Sequence, residues 1–356
     1  MHTANTMATQ PAAPSNTRLK VAVLGTGSLG KSHVRLYAEL AAAGLVDFTG
    51  VYDVVTDTAR RIAEQHRVRA FTSIAEAAAA SDALNIVTPT TTHHAIAKEL
   101  LIAGKHVLVE KPMTDSTGQA AELVQLAQAR NLVLQVGHVE RFNPVFNYLQ
   151  TVATHPKFIE CHRLSPYPAR STDVGVVLDL MIHDLDVVLA FVNSPVTSVD
   201  AVGIPVLSKS EDIANVRLRF ANGCVANLTA SRISPERMRK IRVFSGGASP
   251  CYISLDYRVQ EGFIYRLAGA GEKESSALAK LLALAGSNAS VVSEFAGKKI
   301  VREPVPIAKD EPLKLELQHF VECVKARTTP KVSGESAKLA LDLAFEITRQ
   351  IQEIQK

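Results

Sequence analysis

Between Leu19 and Gly137 the chain switches repeatedly between short apolar runs and longer amphipathic ones, and this alternation restricts its fold more than any other feature. The apolar runs are Leu19–Leu24, Phe48–Tyr52, Leu84–Thr88, His106–Val109 and Leu132–Val136, with a weaker one near Val68–Phe71. Their length and apolar content suit strands buried on both faces. Between them Lys31–Ala43, Thr56–Gln65, Ile74–Ala80, Thr92–Ala103 and Gln119–Ala129 read as helices, and Gly44 and Gly104 follow two of these at the C-cap position. Strand–helix alternation of this kind predicts a doubly wound parallel sheet.

Beyond Gly137 the rhythm changes. A helical run, Gly175–Val192, precedes several strand-like runs separated by turns. Ala214–Phe220 and Cys224–Ser231, joined by Ala221-Asn222-Gly223, read as a β-hairpin, and Ile241–Phe244, Tyr252–Leu255 and Gly262–Arg266 continue the pattern. Short connections between consecutive strands predict a mostly antiparallel sheet, and helical spacing returns over Leu313–Lys325 and Ser336–Ile354. The expected organisation is a tail over residues 1–17, a dinucleotide-binding domain over 18–137 and an α+β domain over 138–356. Glu272–Gly297, rich in Ala, Ser and Leu, fits neither pattern and reads at most as a short helix in an insertion.

A chain of 356 residues that is 47% apolar can build two proper cores. Its net charge of +4 is mild and does not indicate a nucleic-acid partner. Cys161, Cys224, Cys251 and Cys323 are far apart and form no C-x-x-C pair, so they read as buried thiols in a reducing compartment rather than disulfides or a zinc site. Residues 1–17 lack the basic start and apolar core of a secretory signal and read as a disordered lead-in. With no apolar run long enough to span a bilayer, the expected location is cytoplasmic, with no membrane partner.

Gly25-Thr26-Gly27-Ser28-Leu29-Gly30 follows a predicted strand and opens a predicted helix, the context that a dinucleotide fingerprint needs. Gly25 permits the tight turn, Gly27 lets the backbone approach a pyrophosphate, and Gly30 allows close helix–strand packing. Ser28 and Leu29, at the helix start, belong to the same candidate phosphate site. The next strand ends in Asp53, which can accept hydrogen bonds from ribose hydroxyls and would repel a 2′-phosphate. No basic residue adjoins it, since Arg60 and Arg61 come too late, and NAD is favoured over NADP.

The run His106-Val107-Leu108-Val109-Glu110-Lys111-Pro112 delivers Glu110, Lys111 and a proline to the carboxyl end of a strand, where open α/β sheets bind ligands. Oxidation of a secondary alcohol by hydride transfer needs a base at the hydroxyl and a cation near the developing alkoxide. Asp179 and His183 stand at i and i+4 of a predicted helix, where the carboxylate can fix the imidazole tautomer, and Lys111 approaches from the nucleotide side. Asp179, His183, Asp184 and Asp186 also have the composition of a metal cluster, but one helix cannot aim all four at a single ion, so no metal is expected.

These motifs, with Val87-Thr88-Pro89-Thr90-Thr91-Thr92-His93 and Gly137-His138, resemble the Gfo/Idh/MocA family of oxidoreductases, and the resemblance runs from Leu19 to the end of the chain. It implies a Rossmann domain followed by an open, mostly antiparallel sheet domain that binds substrate and whose sheet face often supports a homo-oligomer, a dimer or tetramer. It implies Lys111, Asp179 and His183 as the catalytic set, with His183 the acid/base. Thr88, Pro89 and His93 match a loop beside the cofactor, and Glu110 and Lys111 join the cofactor-binding candidates. Within the family, the stretches after Gly137 and around Asp179 resemble the branch acting on nucleotide-activated amino sugars. That branch implies oxidation of the C3 hydroxyl of a sugar such as UDP-N-acetylglucosamine to a ketone. A pyridoxal-phosphate aminotransferase would then use the ketone on a route to lipid A. Arg141, Asn143, Arg163 and Arg170 are the candidates for the substrate diphosphate, with Arg232, Arg237, Arg239 and Lys240 a second basic cluster. Two other readings stand beside this one: a dehydrogenase of a free polyol such as inositol, and a dinucleotide-sensing regulator without catalysis.

Overall fold

The computed structural model describes residues 18–167, 174–268, 290–295 and 297–354. Arg170 and most of Glu272–Gly297 therefore lie outside the described residues, as does the 1–17 tail. The first half forms β1 (Leu19–Leu24), α1 (Ser28–Ala42), β2 (Val46–Tyr52), α2 (Thr56–His66), β3 (Arg69–Ala70), α3 (Ile74–Ala80), β4 (Ala83–Ile86), α4 (Thr90–Ile102), β5 (His106–Glu110), α5 (Thr117–Ala129) and β6 (Leu134–Gly137). The six strands pair in parallel in the order β3-β2-β1-β4-β5-β6, so the direction of winding reverses between β1 and β4. Ligands bind outside the carboxyl ends of strands at such a reversal. Val107, Leu108 and Val109 of β5 are fully buried, as expected of a strand with helices on both faces.

The second half adds α6 (Pro144–Val152), β7 (Pro156–Leu164), α7 (Ile182–Val192), β8 (Val196–Ile204), β9 (Ile213–Phe220), β10 (Val225–Ser231), β11 (Met238–Ser245), β12 (Cys251–Asp256), β13 (Glu261–Leu267), β14 (Ser290–Phe295), β15 (Lys298–Pro304), α8 (Pro312–Ala326) and α9 (Gly334–Ile354). Among the described residues nine strands form one sheet, antiparallel except where β10 runs parallel to β7. The β9–β10 hairpin forms as expected. The expectation misses α6, β7, β8, β14 and β15. In β7 the inward positions are Ile159, Cys161 and Arg163, and a buried arginine on the core face disguises the apolar alternation of a half-buried strand.

A second departure is local. Gly175–Val192 is not one regular helix: Val177–Met181 forms a π turn before α7 begins. The C-terminal helices then return to the first sheet, since Leu317, Phe320 and Val321 of α8 share a core with Val34 and Tyr37 of α1, and α9 packs between α5 and α7. On the nine-stranded sheet Phe158, Phe244, Tyr252 and Tyr265 stack as cross-strand neighbours, with ring centroids 5.6, 4.5 and 5.0 Å apart. Among the described residues no helix is long and apolar enough to cross a membrane.

Candidate active site

The glycine-rich loop leaves β1 at the reversal point. Gly25 has φ +95°, and a Cβ there would stand 2.3 Å from the carbonyl oxygen of Val87, so the loop lies tight against the end of β4. A Cβ on Gly30 would stand 2.2 Å from the Gly25 carbonyl oxygen, so α1 starts directly on the loop. A Cβ on Gly27 would meet nothing within 4 Å. Gly27 is also the N-cap of α1 and offers no side-chain cap, so first-turn N–H groups face open space. Bare backbone, space and unpaired donors at one helix start fit a dinucleotide pyrophosphate.

Asp53 stands beside this loop. Its Oδ2 accepts from the Thr26 N–H and hydroxyl, both at 2.7 Å, and Oδ1 accepts from the Val55 N–H at 2.9 Å. Partial burial alone would raise the Asp53 pKa, but the bonds from Val55 and Thr26 outweigh it and hold the carboxyl below its ordinary value. The group is thus a fixed negative charge. Asp53→Asn is expected to weaken NAD binding by roughly tenfold while changing NADP binding far less. Calorimetric titration with each nucleotide checks this, and an unchanged NAD-to-NADP preference would count against the role.

Lys111 follows β5, and the Lys111–Pro112 peptide is cis. Its Nζ donates to the Asp179 carbonyl oxygen at 2.7 Å and lies 3.4 Å from Asp179 Oδ1. The π turn changes the expected Asp179–His183 relation. With more residues per turn the i and i+4 side chains no longer stack, and no hydrogen bond joins them among the described contacts. Instead both converge on Lys111: Asp179 by hydrogen bonding, and His183 by lining the same cleft. His183 Nδ1 has no protein partner, and the ring meets His138 edge-on at 6.0 Å. Burial pushes the His183 pKa well below its ordinary value, and the charges of Lys111 and Arg163 push it further. At neutral pH the imidazole is an uncharged base.

The Thr88 loop is pinned from below. The His93 ring nitrogens lie 2.8 Å from the Thr88 carbonyl oxygen and 2.9 Å from that of Pro112, and the side chain is buried. His93 therefore braces the loop against the Lys111–Pro112 turn rather than offering a free nitrogen to a ligand. Pro89, Lys111 and Asp179 line a cavity of about 470 Å³ beside it.

The cleft over Lys111, about 590 Å³, is lined by Leu29, Glu110, Lys111, Gly137 and His183 together with Glu140, Asn143, Arg239, Tyr257, Arg258 and Glu311. Arg163 and Arg141 are not among its walls, which corrects the expectation that they meet a diphosphate. Arg163 is buried, with Nε and Nη2 on the two oxygens of Asp184 at 2.9 and 2.8 Å and Nη1 on Glu140 at 3.1 Å. Arg141 lies over the Phe146 ring, donates to Asp186 at 3.3 Å and to the Lys331 carbonyl oxygen at 3.0 Å, and borders a separate cavity against α9. Arg163 thus spends its donors on acids of the same chain, while Arg141 divides its own between Asp186 and a backbone carbonyl, with Nε lacking a partner among the described residues. Asn143 does reach the cleft wall, but it also caps α6 and donates to Glu140 and to the Tyr257 carbonyl oxygen. Among the described residues the exposed arginines of the cleft are Arg239, from the second basic cluster and 3.7 Å from Glu140, and Arg258, whose Nη1 donates to the Arg237 carbonyl oxygen at 2.8 Å. Arg258, Tyr257 and Gln260 belong to the β12–β13 turn, which sheet topology carries to the site and no local motif marks.

An anion-ready glycine loop, a ribose-side carboxylate and a lysine–imidazole pair over one cleft define a nicotinamide-dependent oxidoreductase. Residues 19–138 match the oxidoreductase family with an NAD-binding Rossmann fold, and residues 153–247 match the GFO/IDH/MocA C-terminal domain. The chain belongs to the Gfo/Idh/MocA family of oxidoreductases and uses NAD. It is 34% identical over 330 residues, 92% of this chain and 96% of the relative, to UDP-N-acetylglucosamine 3-dehydrogenase of Acidithiobacillus ferrooxidans. A solved structure of that organism's UDP-N-acetylglucosamine 3-dehydrogenase GnnA matches with a TM-score of 0.81 at 31% identity, covering 95% of this chain and 99% of that one. Scyllo-inositol 2-dehydrogenase (NAD(+)) of Bacillus subtilis is 25% identical over 354 residues, with 94% of each chain covered.

Proposed function

We infer that this enzyme oxidises the C3 hydroxyl of a nucleotide-activated amino sugar, UDP-N-acetylglucosamine, to the 3-keto sugar. The observation that carries this reading is the placement of Arg239 and Arg258 in the same cleft as Lys111 and His183. A free polyol needs no cation beyond the reacting carbon, whereas a diphosphate does. The similarity to the Acidithiobacillus enzyme supports the same reading.

Gly25, Gly27, Ser28, Leu29 and Gly30 would hold the phosphates of NAD, Asp53 its adenosine ribose, and Thr88, Pro89 and Glu110 the remainder, and the nicotinamide would supply the hydride acceptor. Neutral His183 takes the hydroxyl proton. The Lys111 ammonium, oriented by Asp179, stabilises the alkoxide that forms. Arg239 and Arg258 hold the diphosphate, and Asn143 shapes the wall beside it. The ketone is a substrate for a pyridoxal-phosphate aminotransferase, which draws the unfavourable oxidation forward in the cytoplasm. The stacked aromatic face of the nine-stranded sheet is the surface on which a homo-oligomer would form.

The test is NADH formation, followed by absorbance, with UDP-N-acetylglucosamine, free N-acetylglucosamine and inositol compared, each with a ketone trap. Turnover that requires the UDP group is expected; turnover of inositol alone would replace this reading with the polyol one. Arg239→Ala and Arg258→Ala are each expected to raise KM for the UDP sugar by roughly 10- to 100-fold, with kcat changing less. An unchanged KM in both would remove the arginines from the substrate site.

A further inference from the structure

Helix α1 carries a histidine where the buried face calls for an apolar residue. His33 is fully buried between Gly30 and Tyr37, and both ring nitrogens have partners. The Asn85 amide nitrogen, on β4, lies 3.2 Å from Nδ1, and Glu110 Oε1, at the end of β5, lies 3.0 Å from Nε2. The Tyr37 hydroxyl donates to Asn85 Oδ1 at 3.1 Å, which orients the amide with its N–H toward His33. Nδ1 is then the acceptor, the ring proton sits on Nε2, and His33 donates to the Glu110 carboxylate.

Glu110 is clamped on its other sides as well. Its Oε2 accepts from the Lys111 N–H at 3.3 Å. A Cβ on Gly137 would stand 2.7 Å from the carboxylate, so the end of β6 is bare where the group lies. Glu110 also lines the cleft beside Lys111 and Leu29. One buried hydrogen-bond chain thus runs from the core to the strand end that presents the lysine.

We propose that His33 is a positioning residue for the reaction: it fixes the Glu110 carboxylate and thereby ties the helix of the dinucleotide loop to the backbone of Lys111. Without the Nε2 donor the carboxylate keeps a single long bond to its neighbour's N–H and turns toward the water of the cleft. The lysine and the cofactor floor lose their register together. This inference rests on the NAD-binding fold and is independent of which sugar is oxidised.

Two substitutions separate the roles. Asparagine reaches the place of Nδ1 and keeps the Asn85 contact but cannot reach Glu110, whereas glutamine reaches the place of Nε2 and keeps the donor. His33→Asn is expected to lower kcat by roughly 10- to 100-fold and to weaken NAD binding severalfold in calorimetry, while His33→Gln stays within about threefold of the parent. In a Glu110→Ala background, which removes the acceptor altogether, His33→Asn should add nothing further, because its effect runs through the carboxylate. The proposal is overturned if Asn and Gln lose activity and NAD affinity equally, or if the loss persists in full on top of Glu110→Ala. Should His33→Asn fail to fold, His33→Gln decides: near-parental kcat and NAD affinity support the donor role, and a large loss at an unchanged melting temperature rejects it. The calorimetric arm uses NAD alone and stands whether or not the UDP-sugar assignment holds.

Discussion

Lys111→Met is expected to cut kcat by roughly three orders of magnitude while NAD affinity stays within a few-fold. Methionine keeps the apolar stem and removes only the ammonium, which hydrogen-bonds Asp179 rather than the glycine-rich loop. What is lost is the cation beside the cleft where alkoxide charge develops, together with the anchor on the Asp179 carbonyl oxygen. The Lys111–Asp179 pair is long, at 3.4 Å, and mostly buried, about a fifth exposed on each side, so folding stability should fall by about 1–3 kcal/mol, between the values for exposed and fully buried pairs. Single-turnover NADH formation with saturating nucleotide, alongside a thermal melt, measures both quantities. A kcat within tenfold of the parent would show that the lysine is a structural strand-end charge.

The same variant carries a pH signature whose sign is fixed by the structure. Burial is the largest cause of the low His183 pKa, and the Lys111 charge is the next. A cation disfavours protonation of a neighbouring imidazole, so removing it raises the His183 pKa toward the ordinary histidine range. The base form is present above that pKa and is lost as pH falls through it. The acid limb of residual kcat/KM should therefore move to higher pH in Lys111→Met, and a fixed limb would separate His183 from the observed ionisation.

The parts that were legible in the sequence are those whose signal is local. Six strands alternating with helices announce a parallel sheet, and Gly25, Gly27 and Gly30 in register with a strand end announce the loop, because each step depends on neighbours a few residues away. The invisible parts depend on distant pairing. Arg163 looks like a ligand-seeking cation in a strand of mixed polarity. Only the pairing of β7 with both β10 and β11, and the approach of α7, reveal that Asp184 and Glu140 already hold it. Arg258 shows the reverse case: an unremarkable turn residue becomes a cleft wall through sheet topology. The π turn escaped because its consequence is rotational: Asp179 and His183 keep their i, i+4 spacing and lose their shared face. Residue types at the right separation identify the chemistry, and the order of strands decides which charges are left free for a substrate.

That distinction gives Arg163 the largest expected effect on stability. Arg163→Met should destabilise the fold by about 3–5 kcal/mol, because the substitution leaves Asp184 and Glu140 buried without their shared cation. Arg239, at 3.7 Å from Glu140 and half exposed, is too distant and too solvated to replace it. If the loss comes from orphaned acids rather than from missing bulk, removing a negative charge should recover part of it: Arg163→Met/Asp184→Asn is expected to melt above Arg163→Met alone. Denaturant unfolding of both variants measures this. A substrate-binding role predicts the opposite pattern, with a melting temperature near the parent's and a KM for the UDP sugar raised at least tenfold, unrelieved by Asp184→Asn. Since Arg163 is also one of the cations that depress the His183 pKa, the surviving folded fraction of Arg163→Met should show its acid limb displaced upward, as in Lys111→Met but by less. A buried arginine mistaken for a ligand in the sequence would then be seen acting on the reaction at one remove, by keeping its base uncharged.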